Sequence, residues 1–89
     1  MKITELVTLK NKLGLHARAA AKIVNVSSKY ESQIFLEKNG RKVEGRSILG
    51  ILTLACPMGS IIAIEVDGVD ANDVIEELVE LVENKFGEE

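Results

Sequence analysis

One cysteine, Cys56, and one histidine, His16, are the only soft metal ligands in this chain. No internal disulfide can form, and two such ligands are too few for a structural zinc site. Tryptophan is absent and aromatics reach only 3% (Tyr30, Phe35, Phe86), so the core must be built from Val, Ile, Leu and Ala. That scarcity also argues against a sheet that stacks nucleic-acid bases on aromatic rings. Long apolar runs are missing, since nothing approaches the roughly 20 residues needed to cross a bilayer. The opening stretch Met1-Lys2-Ile3-Thr4-Glu5 shows neither the apolar run nor the small-residue cleavage site of a signal peptide. The expectation is a cytoplasmic protein held together by its core alone, with no metal and no membrane insertion.

What is present is an ordinary globular composition, 46% hydrophobic and 28% charged, in 89 residues that suffice for a single domain spanning 1–89. The formal net charge of −3 hides a division along the chain. Met1 to Ile64 holds ten basic and four acidic residues, whereas Glu65 to Glu89 holds one basic and ten acidic residues. A basic working surface and an acidic, solvated helix face account for this asymmetry.

Hydrophobic periodicity divides the chain into alternating elements. Residues 2–9 are β-rich and alternate, and Asn11-Lys12-Leu13-Gly14 reads as a turn. Residues 16–28 carry Ala17, Ala20, Ala21 and Val24 and, less regularly, Ile23 and Val26 at helical spacing. Residues 33–38 and 41–44 flank Asn39-Gly40, a strong hairpin signal. Ser47 is a good cap for a short apolar helix that closes before Pro57, and residues 60–66 read as a well-buried strand. Asp70 is placed to cap a final helix with apolar residues at Ala71, Val74, Ile75, Leu78, Leu81, Val82 and Phe86, and Gly87 is placed to stop it. The order β-α-β-β-α-β-α predicts an α+β fold, a two-layer sandwich with its helices on one face of an antiparallel sheet.

Gly14-Leu15-His16-Ala17-Arg18 is the segment that carries chemistry. His16 falls where the first helix begins, and a helix amino end presents unpaired backbone N–H groups and partial positive charge to an anion. Imidazole is a nucleophile towards phosphorus, the amides of Ala17 and Arg18 can donate to the phosphoryl oxygens, and the Arg18 guanidinium suits the same oxygens. The spacing alone also fits a histidine that does nothing more than sit at a helix start.

Gly14-Leu15-His16-Ala17-Arg18 with Ala20, followed by Arg46-Ser47-Ile48-Leu49-Gly50-Ile51-Leu52, resembles the HPr family, the histidine-containing phosphocarriers of the bacterial phosphoenolpyruvate-dependent phosphotransferase system. The resemblance extends over essentially the whole chain, through Lys29-Tyr30, Asn39-Gly40, Gly59 and the closing helix. It implies an open-faced β-sandwich whose four-stranded sheet has the order 1-4-2-3. It also implies that His16 is phosphorylated on Nδ1 by enzyme I and relieved by an acceptor of the EIIA type, with Arg18 assisting. Ser47 matches the serine that a dedicated kinase, the HPr kinase/phosphorylase, modifies in some lineages. Leu49 and Leu52 match apolar docking positions, and Arg46 would belong to the basic surface beside them. Such a protein is a monomeric carrier without a cofactor, a co-substrate of phosphotransferases rather than an enzyme.

One position departs from the family pattern: Ala19 stands where proline is usual. A proline there would fix φ in the first turn, so alanine loosens the free ensemble by about 0.4–1 kcal/mol and returns one amide donor to the anion site. Asn11-Lys12-Leu13-Gly14 resembles the nitrogen-related branch more than the sugar-transport branch. Two other readings are a regulatory paralogue acting through Ser47 and, remotely, an acylphosphatase-like hydrolase. Regulatory paralogues typically lose the histidine, and a hydrolase of that type needs an arginine-bearing glycine-rich loop absent here.

Overall fold

A computed structural model describes residues 1–88. Seven elements follow one another: β1 Lys2–Thr8, α1 Ala17–Ser27, β2 Gln33–Lys38, β3 Arg41–Glu44, α2 Ile48–Leu52, β4 Ile61–Asp67 and α3 Ala71–Glu83, with a 3-10 turn over Lys85–Gly87. The strands form one antiparallel sheet in the order β1-β4-β2-β3. The α+β sandwich expected from the element order is therefore what the chain forms.

Alternation along the strands sets the layering. In β4, Ile62, Ile64 and Val66 point into the core, opposite Ile34 and Leu36 of β2 and Val7 of β1. Ile61 on the same strand is 60% exposed, as is Leu6 of β1 at 70%. The last strand is thus half-buried rather than buried on both faces, because all the helices cover one side of the sheet and leave the other to solvent. At the β2–β3 hairpin, Asn39 and Gly40 both take positive φ, 51° and 82°, which matches the strand twist.

The inner face of α1 is Ala19, Ala20, Ile23 and Val26, all buried, while Ala17 is exposed. Relative to the spacing centred on Ala17, Ala20, Ala21 and Val24, the buried face is rotated onto the less regular members Ile23 and Val26, since three adjacent alanines give no apolar contrast. Along α3 the buried stripe is Ala71, Val74, Leu78 and Val82. The helix ends at Glu83 rather than running to Gly87. Phe86 is nonetheless buried to 1% exposure, carried into the core by the turn after the helix.

Asp70 precedes α3 but does not cap it with its side chain. Its carboxylate instead accepts from the backbone N–H of Glu31 at 2.9 Å, the N–H of Ser32 at 3.1 Å and the Ser32 hydroxyl. Two loops are tied together in this way, and Gly68 allows it, because a Cβ at that position would run into Ser32. The Ser32 hydroxyl, followed by the Glu31 amide, holds the Asp70 carboxyl below its ordinary value of 3.8. Its stabilising contribution is therefore present above that value and lost as the pH falls through the depressed one. Asp70→Asn should lower the thermal midpoint by a few degrees at pH 7, and the gap to the parent protein should close as the pH drops from about 4 to 2. Melting curves across that range check this, and a gap that stays constant would refute it.

Candidate functional site

His16 is held by the turn before it. Gly14 adopts φ +63°, and the Leu15 N–H donates to the Cys56 carbonyl at 2.9 Å. A Cβ on Gly14 would collide with that same carbonyl and with the Pro57 backbone, so only glycine allows the two loops to close on each other. Across the contact, Ala55 also sits at positive φ, 51°, an uncommon conformation for alanine that turns the chain towards Gly14. Cys56 itself is buried, and burial pushes its thiol up from the ordinary value.

From this turn the backbone of His16, extended at φ −81° and ψ 176°, becomes the N-cap position of α1. Its carbonyl accepts the first helical bond, from the Ala20 N–H at 2.9 Å, and its ring makes no capping bond. The amides of Ala17, Arg18 and Ala19 lie in the first turn, where a helix supplies no internal acceptor. Ala17 and Arg18 are exposed, whereas the Ala19 side chain is fully buried in the core. A partly exposed imidazole therefore stands beside open N–H donors and the exposed Arg18, an arrangement suited to a bound or covalently attached phosphoryl group.

Glu88, which sequence reading did not single out, meets His16 and is itself held by Asn11. The ring Nε2 is in contact with the Glu88 carboxylate, and the Asn11 side-chain amide donates to the other Glu88 oxygen at 3.2 Å. Asn11 is 1% exposed and also donates to the Gly14 carbonyl at 2.8 Å, so it fixes both the turn and the tail. The hydrogen bond from His16, reinforced by Asn11 and the nearby Arg18 charge, keeps the Glu88 carboxyl below the usual carboxylate range. Glu88 lies 72 residues beyond His16, and no local motif announces such a pair.

The remaining candidates are spread more widely. The Ser47 hydroxyl accepts from the Gly50 N–H at 2.9 Å and so caps α2. Leu49 is 78% exposed, while Leu52 is half-buried against the core. Arg46 is exposed, but its guanidinium donates to the Tyr30 carbonyl at 2.5 Å. Tyr30 lies beyond the carboxyl end of α1, whose 11 residues put about 16 Å of helix between that end and His16. The structure thus separates the Arg46 guanidinium from the amino end of α1, where Arg18 remains. Exposed Leu13 and Met58, at 65% and 55%, flank the Gly14–Pro57 contact and place apolar surface at the His16 end. Among the described residues no group of His, Cys, Asp and Glu side chains is arranged to hold a metal, and no helix is long and apolar enough to cross a membrane.

Comparison with known proteins agrees with this geometry. The family model described as the PTS HPr component phosphorylation site matches residues 3–84. The chain is similar to the phosphocarrier protein HPr of Cupriavidus necator, at 43% identity over 81 residues and 91% of each chain. It is also similar to the phosphocarrier protein NPr of Shewanella violacea, at 38% identity over 87 residues, covering 98% of this chain and 96% of that one. Among solved structures, HPr-C-His from Thermoanaerobacter tengcongensis superposes with a TM-score of 0.94 at 44% identity, covering 98% of each chain. A family match over nearly the whole length, the shared 1-4-2-3 sheet and a histidine at the amino end of α1 lead to one conclusion: the chain belongs to the HPr family of phosphocarrier proteins of the phosphotransferase system.

Proposed function

We propose that this chain accepts a phosphoryl group on Nδ1 of His16 from enzyme I and passes it to an acceptor of the EIIA type. The observation that carries the reading is the position of the only histidine at the N-cap of α1, with its ring partly exposed and the first-turn amides beside it. In the accepting step Nδ1 forms a bond to phosphorus while the bond from phosphorus to the donor breaks, its electron pair leaving with the donor. The onward step reverses the roles, with Nδ1 as the leaving atom. The amides of Ala17 and Arg18 and the Arg18 guanidinium hold the phosphoryl oxygens in both directions. Each partner supplies the rest of the reacting centre, so the protein serves as a co-substrate rather than an enzyme and needs no cofactor.

Docking is assigned to the apolar surface of Leu49 with half-buried Leu52, and to Leu13 and Met58 at the His16 end. Exposed apolar area bordered by positive charge suits a transient complex with acidic partners. Arg46, distant from the phosphoryl group, contributes only to the long-range field. Regulation through Ser47 is consistent with its place in the fold: a phosphate there would add about −1.5 to −2 charge to a surface that acidic partners approach. The reading places the protein in the cytoplasm as a monomer.

Incubation with phosphoenolpyruvate and a matching enzyme I should attach one acid-labile phosphate, which His16→Ala abolishes. Stoichiometric labelling that survives in His16→Ala would overturn the assignment. Arg18→Ala should lower kcat/KM for phosphoryl transfer by roughly 10- to 100-fold, the range expected for a charge-assisted hydrogen bond, while leaving the fold intact. The transfer rate should also fall as salt rises from about 10 to 300 mM, because the Debye length contracts and steering weakens. Stopped-flow or quenched-flow kinetics read both effects, and a salt-independent rate would remove the steering role.

A further inference from the structure

The tail after α3 is built in an unusual way. Lys85 and Phe86 take φ of 55° and 56°, followed by Gly87 at 77°, three successive left-handed residues of which two are not glycine. Each non-glycine residue in that region is held only where the surroundings enforce it. Here they do: the Phe86 ring is buried to 1% exposure, the Lys22 ammonium donates to the Phe86 carbonyl, and the Gly87 and Glu88 amides close back on the Asn84 and Lys85 carbonyls at 2.9 Å each. This turn reverses the chain and delivers the Glu88 side chain to His16.

We infer that Glu88 is a positioning residue for phosphoryl transfer, its carboxylate fixing the tautomer of the His16 ring and balancing the charge that develops there. A carboxylate accepts and never donates, so the proton of the neutral ring must lie on Nε2. Nδ1 then carries the lone pair and makes no hydrogen bond among the described residues. The Glu88 carboxylate is itself held at two points, by His16 on one oxygen and by the buried Asn11 on the other, which sets the plane of the ring. As Nδ1 bonds to phosphorus and the donor departs with the electron pair, the ring becomes partly cationic and the Nε2 proton stays in place. A fixed negative charge at Nε2 stabilises that state more than it stabilises the neutral ring. The proposal rests on the phosphocarrier reading of His16 and assigns it a further residue.

Because His16 is the only histidine, nitrogen-15 spectra of the intact protein contain a single imidazole, and its tautomer can be measured where the ring is neutral. The parent protein should show the Nε2–H form in large excess. Glu88→Ala should move the ring towards a mixture and slow phosphorylation by enzyme I about tenfold, with an unchanged melting temperature. Glu88→Gln retains a carbonyl oxygen able to accept from Nε2, so it should keep the tautomer while losing much of the rate, which separates orientation from charge. Unchanged tautomer populations or an unchanged rate in Glu88→Ala overturns the proposal. The tautomer measurement needs no phosphoryl chemistry, so it reports on the Glu88 contact even if labelling of His16→Ala shows that the acceptor lies elsewhere.

Discussion

The contact between Gly14 and the Cys56–Pro57 backbone is the constraint on which the functional end of the molecule depends. It joins the loop before α1 to the loop after α2, and it does so at a distance that excludes any side chain. The Leu15 N–H spends its hydrogen bond on the Cys56 carbonyl, which sets where the backbone of His16 leaves the turn. The rotation of α1 follows from burial of Ala19, Ala20, Ile23 and Val26 against the sheet. Two independent restraints, one at the turn and one along the helix, therefore determine where the imidazole points. A loop free to move would have left its direction to the partner protein.

The charge division along the chain takes on a spatial meaning in the fold. Half of the ten acidic residues from Glu65 onward, Asp73, Glu76, Glu77, Glu80 and Glu83, lie on α3, where Glu77 takes the Lys29 ammonium and the Tyr30 hydroxyl. These bonds, with Lys29 foremost, draw the Glu77 carboxyl below its ordinary value. The same bond, with burial and the neighbouring carboxylates, pushes the Tyr30 phenol up to about 12. Both groups are therefore in their bonded forms across the neutral range, and the acidic face is partly spent on bracing α3 against the end of α1. Lys10 is likewise paired, with Glu83 at 2.7 Å, and Lys12 and Arg18 nearer the amino end are exposed to shape the field a partner meets.

The sequence made the architecture readable because local signals agreed with one another. Alternation marked the strands, Asn39-Gly40 marked the hairpin, and the stripe from Ala71 to Val82 marked α3. The position of His16 at the entry of α1 was legible from the glycine before it and the helix pattern after it, and the family from two motifs at the family spacing. What stayed hidden depends on contacts between distant segments. Asp70 follows the capping rule for its residue type, yet the loop of Glu31 and Ser32 lies close enough to take its carboxylate. Arg46 was expected on the basic docking surface beside Leu49 and Leu52, but folding turns its guanidinium onto the Tyr30 carbonyl, beyond the carboxyl end of α1. The tail was misread as helix because Phe86 continues the apolar spacing, and a buried aromatic can hold its place on the stripe after the backbone has left helical geometry.

The consequences of the tail follow from what a carrier must do. A phosphoryl group held too firmly would not be passed on, and one held too loosely would not be accepted. With Glu88 at Nε2, the ring charge is stabilised while the bond to phosphorus is forming or breaking, and by microscopic reversibility that lowers the barrier in both directions. In the phosphorylated state the same carboxylate faces a second anion across the ring, which the amides of Ala17 and Arg18 and the Arg18 guanidinium must offset. In the proposed carrier the helix amino end and Arg18 act on the phosphoryl oxygens, and Glu88 acts on the ring charge at Nε2.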